Sequence, residues 1–70
     1  MKIELLTTFL EVSQTLHVRI AADNLYLTQA AVSSRIKQLE EELGVQLFDR
    51  TQKRLKLTAE GHRLVKHATE

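Results

Sequence analysis

One stretch limits what this chain can become: Leu27-Thr28-Gln29-Ala30-Ala31-Val32-Ser33-Ser34-Arg35-Ile36-Lys37-Gln38-Leu39-Glu40-Glu41-Glu42-Leu43-Gly44. It predicts one helix with both ends marked. Thr28 is a good N-cap, because its hydroxyl can accept a bond from an otherwise unpaired N–H one turn on. Gly44 suits the position after the last turn, because it enters the left-handed conformation without steric cost. Val32, Ile36, Leu39 and Leu43 recur at four- and three-residue steps. At about 100° per residue they project in nearly one direction, the expected buried stripe. Ala30, Ser34 and Lys37 project the opposite way, with Ser33 and Gln38 at the flanks.

Over its first turns that outer face carries small residues, amide and hydroxyl groups and a lysine, and no acid. Small side chains allow close approach to a surface, and amides and hydroxyls can read base edges or bind phosphate. Glu40, Glu41 and Glu42 come only in the last turns, which suits a helix whose N-terminal half enters a groove. The helix dipole favours cations there, so local helix stability does not explain them. A solvated amphipathic helix fits the same pattern, and this stretch alone does not separate the two.

Seventy residues allow one domain with one small core. Aromatic content is 4% against 43% hydrophobic, so the core must be mostly aliphatic. Without cysteine there are neither disulfides nor thiolate metal sites. A net charge of +1 does not announce nucleic acid, but its distribution says more. From Gln29 to Gln38 the charges are Arg35 and Lys37. From Leu39 to Asp49 they are all acidic, and from Arg50 to Lys56 all basic: Arg50, Lys53, Arg54 and Lys56. Lys2-Ile3-Glu4 leads into an amphipathic pattern rather than a signal peptide, and Met1 reads as a native N-terminus. No apolar run approaches membrane-spanning length, so a soluble, cytoplasmic chain with no membrane partner is expected.

Leu5, Leu6, Phe9, Leu10 and Val12 form a broad apolar arc, predicting a helix from Ile3 to about Gln14 with Leu16 following into the core. Val18, Ala21, Ala22 and Leu25 share one side of a short second helix, whose alanine pair would let another helix approach closely. Tyr26-Leu27 then leads to the Thr28 cap. Two helices joined by so short a turn, the second with a polar, small-residue face, form a helix-turn-helix. After Gly44, Val45, Leu47 and Phe48 are expected to point inward. The alternation Leu55-Lys56-Leu57 suggests a short strand closing a hairpin whose tip carries Lys53 and Arg54. A basic hairpin after a helix-turn-helix is a wing, although a solvated hairpin with ordinary surface charge has the same composition. Thr58 caps a last helix. Leu57, Gly61, Leu64 and Ala68 continue a narrow stripe along it with no stop signal, as if the helix ran on beyond the chain.

The chain resembles the N-terminal DNA-binding domain of the LysR-type bacterial transcriptional regulators. The resemblance is carried by Leu5 with Phe9-Leu10-Glu11-Val12, then Ala21-Ala22 and Leu25, then Thr28-Gln29-Ala30-Ala31-Val32-Ser33. Ile36, Leu39-Glu40, Leu43-Gly44-Val45, Leu47-Phe48 with Arg50, and Leu57-Thr58 with Gly61 complete it. It implies a mainly α fold: a winged helix-turn-helix with a three-helix core, a small β-hairpin wing and a C-terminal linker helix. Residues 1–57 would be the DNA-binding domain and residues 58–70 the start of the linker helix. The implied partners are double-stranded DNA and a second copy of the chain, with higher oligomers in the full-length protein. A small-molecule effector would act only through a further C-terminal domain. Four positions depart from the family's habit. Ala30 stands where proline is frequent, Ser34 where a long polar residue is, Ile20 where a polar residue is, and Val18 where phenylalanine is. Ile20 should therefore be an exposed apolar residue, and Val18 should leave core volume unfilled.

On this reading Gln29, Ala30, Ser33, Ser34 and Lys37 touch bases or their neighbours, Thr28 serves as cap and phosphate neighbour, and Arg50, Lys53 and Arg54 contact the backbone or minor groove. For Arg35 an internal ion pair and a phosphate contact fit equally. Leu57, Gly61, Leu64 and Ala68 would form the dimer stripe. The competing reading is a protein-interaction module, which explains the last helix well and the basic hairpin poorly. Enzymatic chemistry has little to stand on. His62 and His67 project about 140° apart on a helix, and Glu40-Glu41-Glu42 spread around theirs, so no cofactor or metal site is expected.

Overall fold

The computed structural model describes residues 2–51 and 53–70. Four helices and one hairpin follow in the order α1 (Ile3–Thr15), α2 (Val18–Leu25), α3 (Gln29–Leu43), β1 (Phe48–Asp49), β2 (Lys56–Leu57) and α4 (Ala59–Thr69). The first helix runs one residue further than its periodicity predicts. It buries Leu5, Thr8, Phe9 and Val12, with Leu6 and Leu10 half-buried beside them. In α2 the buried residues are Ala21 and Ala22. Their lack of bulk lets α2 pack against both α1 and α3, which also pack on each other. Val32, Ile36 and Leu39 complete the three-helix core.

The ends of these helices are made by different means. Thr28 caps α3 as expected, its Oγ1 accepting the Ala31 N–H at 3.0 Å. Gly44 closes α3 at φ 70° and donates its N–H to the Glu40 carbonyl at 2.8 Å. The closures of α1 and α2 fall on non-glycine residues, Leu16 at φ 53° and Tyr26 at φ 57°. Such left-handed positions cost about 1 kcal/mol or more for a residue with a side chain.

After α3, Leu47 and Phe48 turn inward, and the Phe48 ring meets Phe9 at 5.5 Å between centroids, tilted by 56°. That pairing fixes the root of the hairpin to α1. β1 and β2 are antiparallel, with Phe48 opposite Leu57 and Asp49 opposite Lys56. Leu55, expected in the second strand, stays outside the ladder but is half-buried against the core. The Thr58 side chain then begins α4: its Oγ1 accepts the Gly61 N–H at 3.0 Å and donates to the Gln46 carbonyl at 2.7 Å.

Three inward expectations are corrected. Leu16 is 42% exposed, because it is the left-handed residue that closes α1 rather than a continuation of its apolar face. Leu43 is exposed because it is the last residue of α3, one step beyond the part of the stripe that the core covers. Val45 is exposed in the turn that follows. Ile20 is exposed as its position predicts, and Val18 is half-buried against the core.

Candidate nucleic-acid interface

The outer face of α3 is open along its N-terminal half. Gln29, Ala30, Ser33, Ser34 and Lys37 are all exposed. Among the described residues none of the four polar side chains has a partner within the chain. This follows from the stripe: with Val32, Ile36 and Leu39 turned to the core, the opposite face is left uncovered among the described residues. Thr28 is exposed at the helix start, with its hydroxyl already engaged as the cap. The result is a row of small and polar groups on a rigid helix, with amide, hydroxyl and ammonium donors facing outward.

The last turns of α3 are built differently. Glu40 is only 7% exposed, and its Oε2 accepts the N–H groups of Leu47 at 2.8 Å and Phe48 at 3.3 Å. Its Oε1 faces the Arg50 guanidinium at 3.3 Å. An acid that local helix stability does not account for is thus the backbone acceptor that ties the wing's root to α3. Residue 40 lies one turn beyond Ile36, on the apolar stripe, but an acid there does not by itself say which donors it meets. Glu41 and Glu42 remain exposed, and Gln38 donates to Glu42 at 3.4 Å.

The basic run divides in the same way. Lys53 and Arg54 at the hairpin tip are exposed and unpaired among the described residues. Arg50 is half-exposed, but its guanidinium is held by Glu40, so it is not a freely presented cation as the charge run predicts. Arg35 takes the internal alternative: it donates to the Thr8 hydroxyl at 3.4 Å and lies 3.7 Å from the Glu4 carboxylate. Asp49 accepts from the Thr51 hydroxyl at 2.6 Å and the Thr51 N–H at 2.9 Å, bracing the start of the loop. The Thr51 hydroxyl, then its N–H, and the charge of Lys56 hold the Asp49 carboxyl below the ordinary carboxylate range. A cleft of about 290 Å³ joins the two regions, lined by Ser33, Lys37, Glu40, Gln46 and Arg50. Gln46 is the member that sequence reasoning missed, since it belongs to neither the helix nor the charge run.

The stripe on α4 needs correction. Gly61 is buried, and a Cβ there would collide with the Leu47 backbone carbonyl and come within 2.8 Å of Leu57 Cδ2. Its close contact is therefore within the chain, not with a second copy. Leu57 and Leu64 are half-buried against the same core, joined by Val65, which the stripe left out. Ala68 is half-buried near the end of the helix and is not among the residues packed on that core. His17, His62 and His67 are exposed. No group of three or more His, Cys, Asp or Glu side chains among the described residues could hold a metal. No helix among them is long and apolar enough to cross a membrane.

Comparison with known proteins agrees with this geometry. The family described as bacterial regulatory helix-turn-helix protein, lysR family, matches residues 3–62. The HTH-type transcriptional regulators HdfR of Escherichia fergusonii and of Shigella boydii serotype 18 are each 57% identical over 68 residues. That alignment spans 97% of this chain and 24% of theirs. A LysR-family transcriptional regulator from Eggerthella lenta superposes with a TM-score of 0.95 at 38% identity, over the whole of both chains. BenM_DBD in complex with catB site 1 DNA superposes with a TM-score of 0.93 at 38% identity, over 99% of this chain and 78% of that one.

Proposed function

Because the chain belongs to the lysR family of bacterial regulatory helix-turn-helix proteins, we propose that it is the DNA-reading part of a cytoplasmic transcriptional regulator. The N-terminal half of α3 enters the major groove of double-stranded DNA. There Gln29, Ala30, Ser33, Ser34 and Lys37 meet base edges or adjacent groups, and Thr28 stands by a phosphate. Lys53 and Arg54 at the wing tip contact the sugar–phosphate backbone or minor groove, and Arg50 does so only in competition with Glu40. The observation that carries this reading is the exposed, acid-free face made by Gln29, Ala30, Ser33, Ser34 and Lys37, whose polar side chains have no partner among the described residues. A DNA complex in a structural relative at 38% identity supports it. Selection of bound fragments from random duplex DNA tests it. A single enriched motif is expected, with affinity falling steeply as salt rises. Absence of enrichment together with salt-insensitive binding would favour a protein-interaction module instead.

Pairing of two chains through α4 is the second part of the proposal. With Gly61 and Leu57 engaged internally, the surface left for a twin centres on Ala68 with the outward sides of Leu64 and Val65. A two-fold pair would set two α3 helices one DNA turn apart. Ala68→Asp is the informative variant, since Leu64→Asp would also injure the core. Sedimentation at rising concentration should show a weak dimer that this change abolishes, and a monomer at every concentration would remove this part of the proposal. In the full-length regulator, residues 1–57 would serve as the DNA-binding unit and residues 58–70 as the start of the linker. Higher assembly and small-molecule effector binding would belong to segments outside this one.

A further inference from the structure

Tyr26 is the residue whose placement the fold alone does not explain. It is 96% exposed, the most exposed large apolar side chain among the described residues. Its backbone closes α2 at φ 57°, with its N–H donating to the Asp23 carbonyl at 3.2 Å and the next N–H, of Leu27, reaching Ala22 at 2.9 Å. Glycine or asparagine makes this closure with less strain, and at the end of α3 the chain uses Gly44 for it. Tyr26 offsets the strain with nothing inside the molecule: its ring and its hydroxyl have no partner among the described residues. Tyrosine is a side chain suited to interfaces, with an apolar body and one hydrogen-bonding tip.

Its position says what would face it. Tyr26 lies two residues ahead of the Thr28 cap, in the turn between the two helices of the motif. In this docking mode the second helix presents its N-terminal residues to base edges while the first crosses the backbone. The turn between them stands over the phosphates at the rim of the groove. From Ile20 to Ser34 the chain has no lysine, arginine or histidine, and Asp23 is its one charge. A side-chain phosphate contact from this turn must therefore come from a neutral donor, and tyrosine hydroxyls serve in that role.

We propose that Tyr26 is a DNA-backbone contact whose phenolic O–H donates to a phosphate oxygen at the rim of the groove that α3 enters. It adds affinity without adding base choice. This rests on the docking reading above. A neutral donor releases no counterion, so losing it lowers affinity while leaving the salt slope unchanged. Removing a lysine or arginine contact lowers both.

The experiment measures binding of the 70-residue chain to two duplexes of equal length, one enriched by selection and one scrambled, across a salt series. Tyr26→Phe keeps the ring and removes the donor. It should weaken binding about five- to twentyfold on both duplexes, with the slope of the unsubstituted chain. Tyr26→Gly removes strain and side chain together. It should bind at least as weakly while melting no lower than the unsubstituted chain. Full affinity in Tyr26→Phe overturns the proposal, as does a loss confined to the selected duplex, which would mean base readout. A fall in melting temperature that tracks the loss of affinity in Tyr26→Gly would make Tyr26 structural and also overturns it. Failure of the unsubstituted chain to bind either duplex overturns the docking reading and this proposal together. Normal binding with an indifferent Tyr26→Phe overturns this proposal alone.

Discussion

The two halves of α3 treat their polar side chains in opposite ways. On the outer face of the first half, Gln29, Ser33, Ser34 and Lys37 are exposed and, among the described residues, bonded to nothing within the chain, while Arg35 at the flank turns inward to Thr8 and Glu4. At Glu40 a carboxylate is buried, accepts two backbone N–H groups and holds a guanidinium. The first half leaves these groups free for the proposed DNA contact, where any internal bond would have to be broken on binding. The second half uses a charge to fix the next element, because the turn after Gly44 would otherwise leave the Leu47 and Phe48 N–H groups buried without acceptors. On the proposed reading, polarity on one helix serves recognition at one end and folding at the other.

Glu40→Ala tests the folding end, and its effect should be the largest. It strands two backbone donors and an arginine, so unfolding free energy should fall by about 2–4 kcal/mol. In urea this appears as a lower midpoint at similar m-value. A midpoint near that of the unsubstituted chain would remove the anchoring role and with it the contrast.

Gln29→Ala tests the other end. The midpoint should not move, since the side chain is exposed and has no hydrogen-bonding partner among the described residues. Discrimination should suffer instead, by about 1–3 kcal/mol at one base position, with scrambled-duplex affinity nearly unchanged. Equal losses on all duplexes would make Gln29 a backbone contact.

This contrast was only half legible in the sequence. The Val32, Ile36 and Leu39 stripe, the Thr28 cap and Gly44 announce themselves, because helix periodicity and capping chemistry are local. The open face was legible as the complement of that stripe. Glu40 was not, because an acid on the apolar side is informative only when the acceptor-hungry backbone of Leu47 and Phe48 is known to lie beside it. The left-handed closures at Leu16 and Tyr26 were hidden for a related reason: neither residue is the glycine or asparagine that marks such a turn. Gly61 announced a close approach, yet the approaching group is the Leu47 carbonyl across the domain, a long-range contact that spacing along α4 does not encode.

The wing divides along the same line, between its tip and its root. Lys53→Ala with Arg54→Ala should leave stability nearly unchanged. It should lower affinity on selected and scrambled duplexes alike and reduce the salt slope by roughly one to two units. Arg50→Ala should reduce the slope by less, since Glu40 already neutralises that guanidinium in the free protein. An unchanged slope in the double variant would mean that the tip does not touch phosphate, and equal slope changes would erase the difference between tip and root.

The smallest effect belongs to the other acid of the wing. Asp49 resembles Glu40 in accepting a backbone N–H, but it is only partly buried, so solvent screens its charge. Its bonds from Thr51 and the nearby Lys56 lower its folded pKa. A carboxylate depressed in this way contributes stability above its unfolded pKa, roughly pH 4, and loses that contribution as pH falls through the lower folded value. Asp49→Asn keeps the acceptor oxygen and the shape while removing the charge. Denaturation midpoints of the two proteins should therefore differ slightly at neutral pH and converge under acid conditions, once the native carboxyl is protonated. A gap that stayed constant down to acid pH would assign the difference to geometry rather than charge. A gap as wide as that of Glu40→Ala would show that burial is not what separates the two carboxylates.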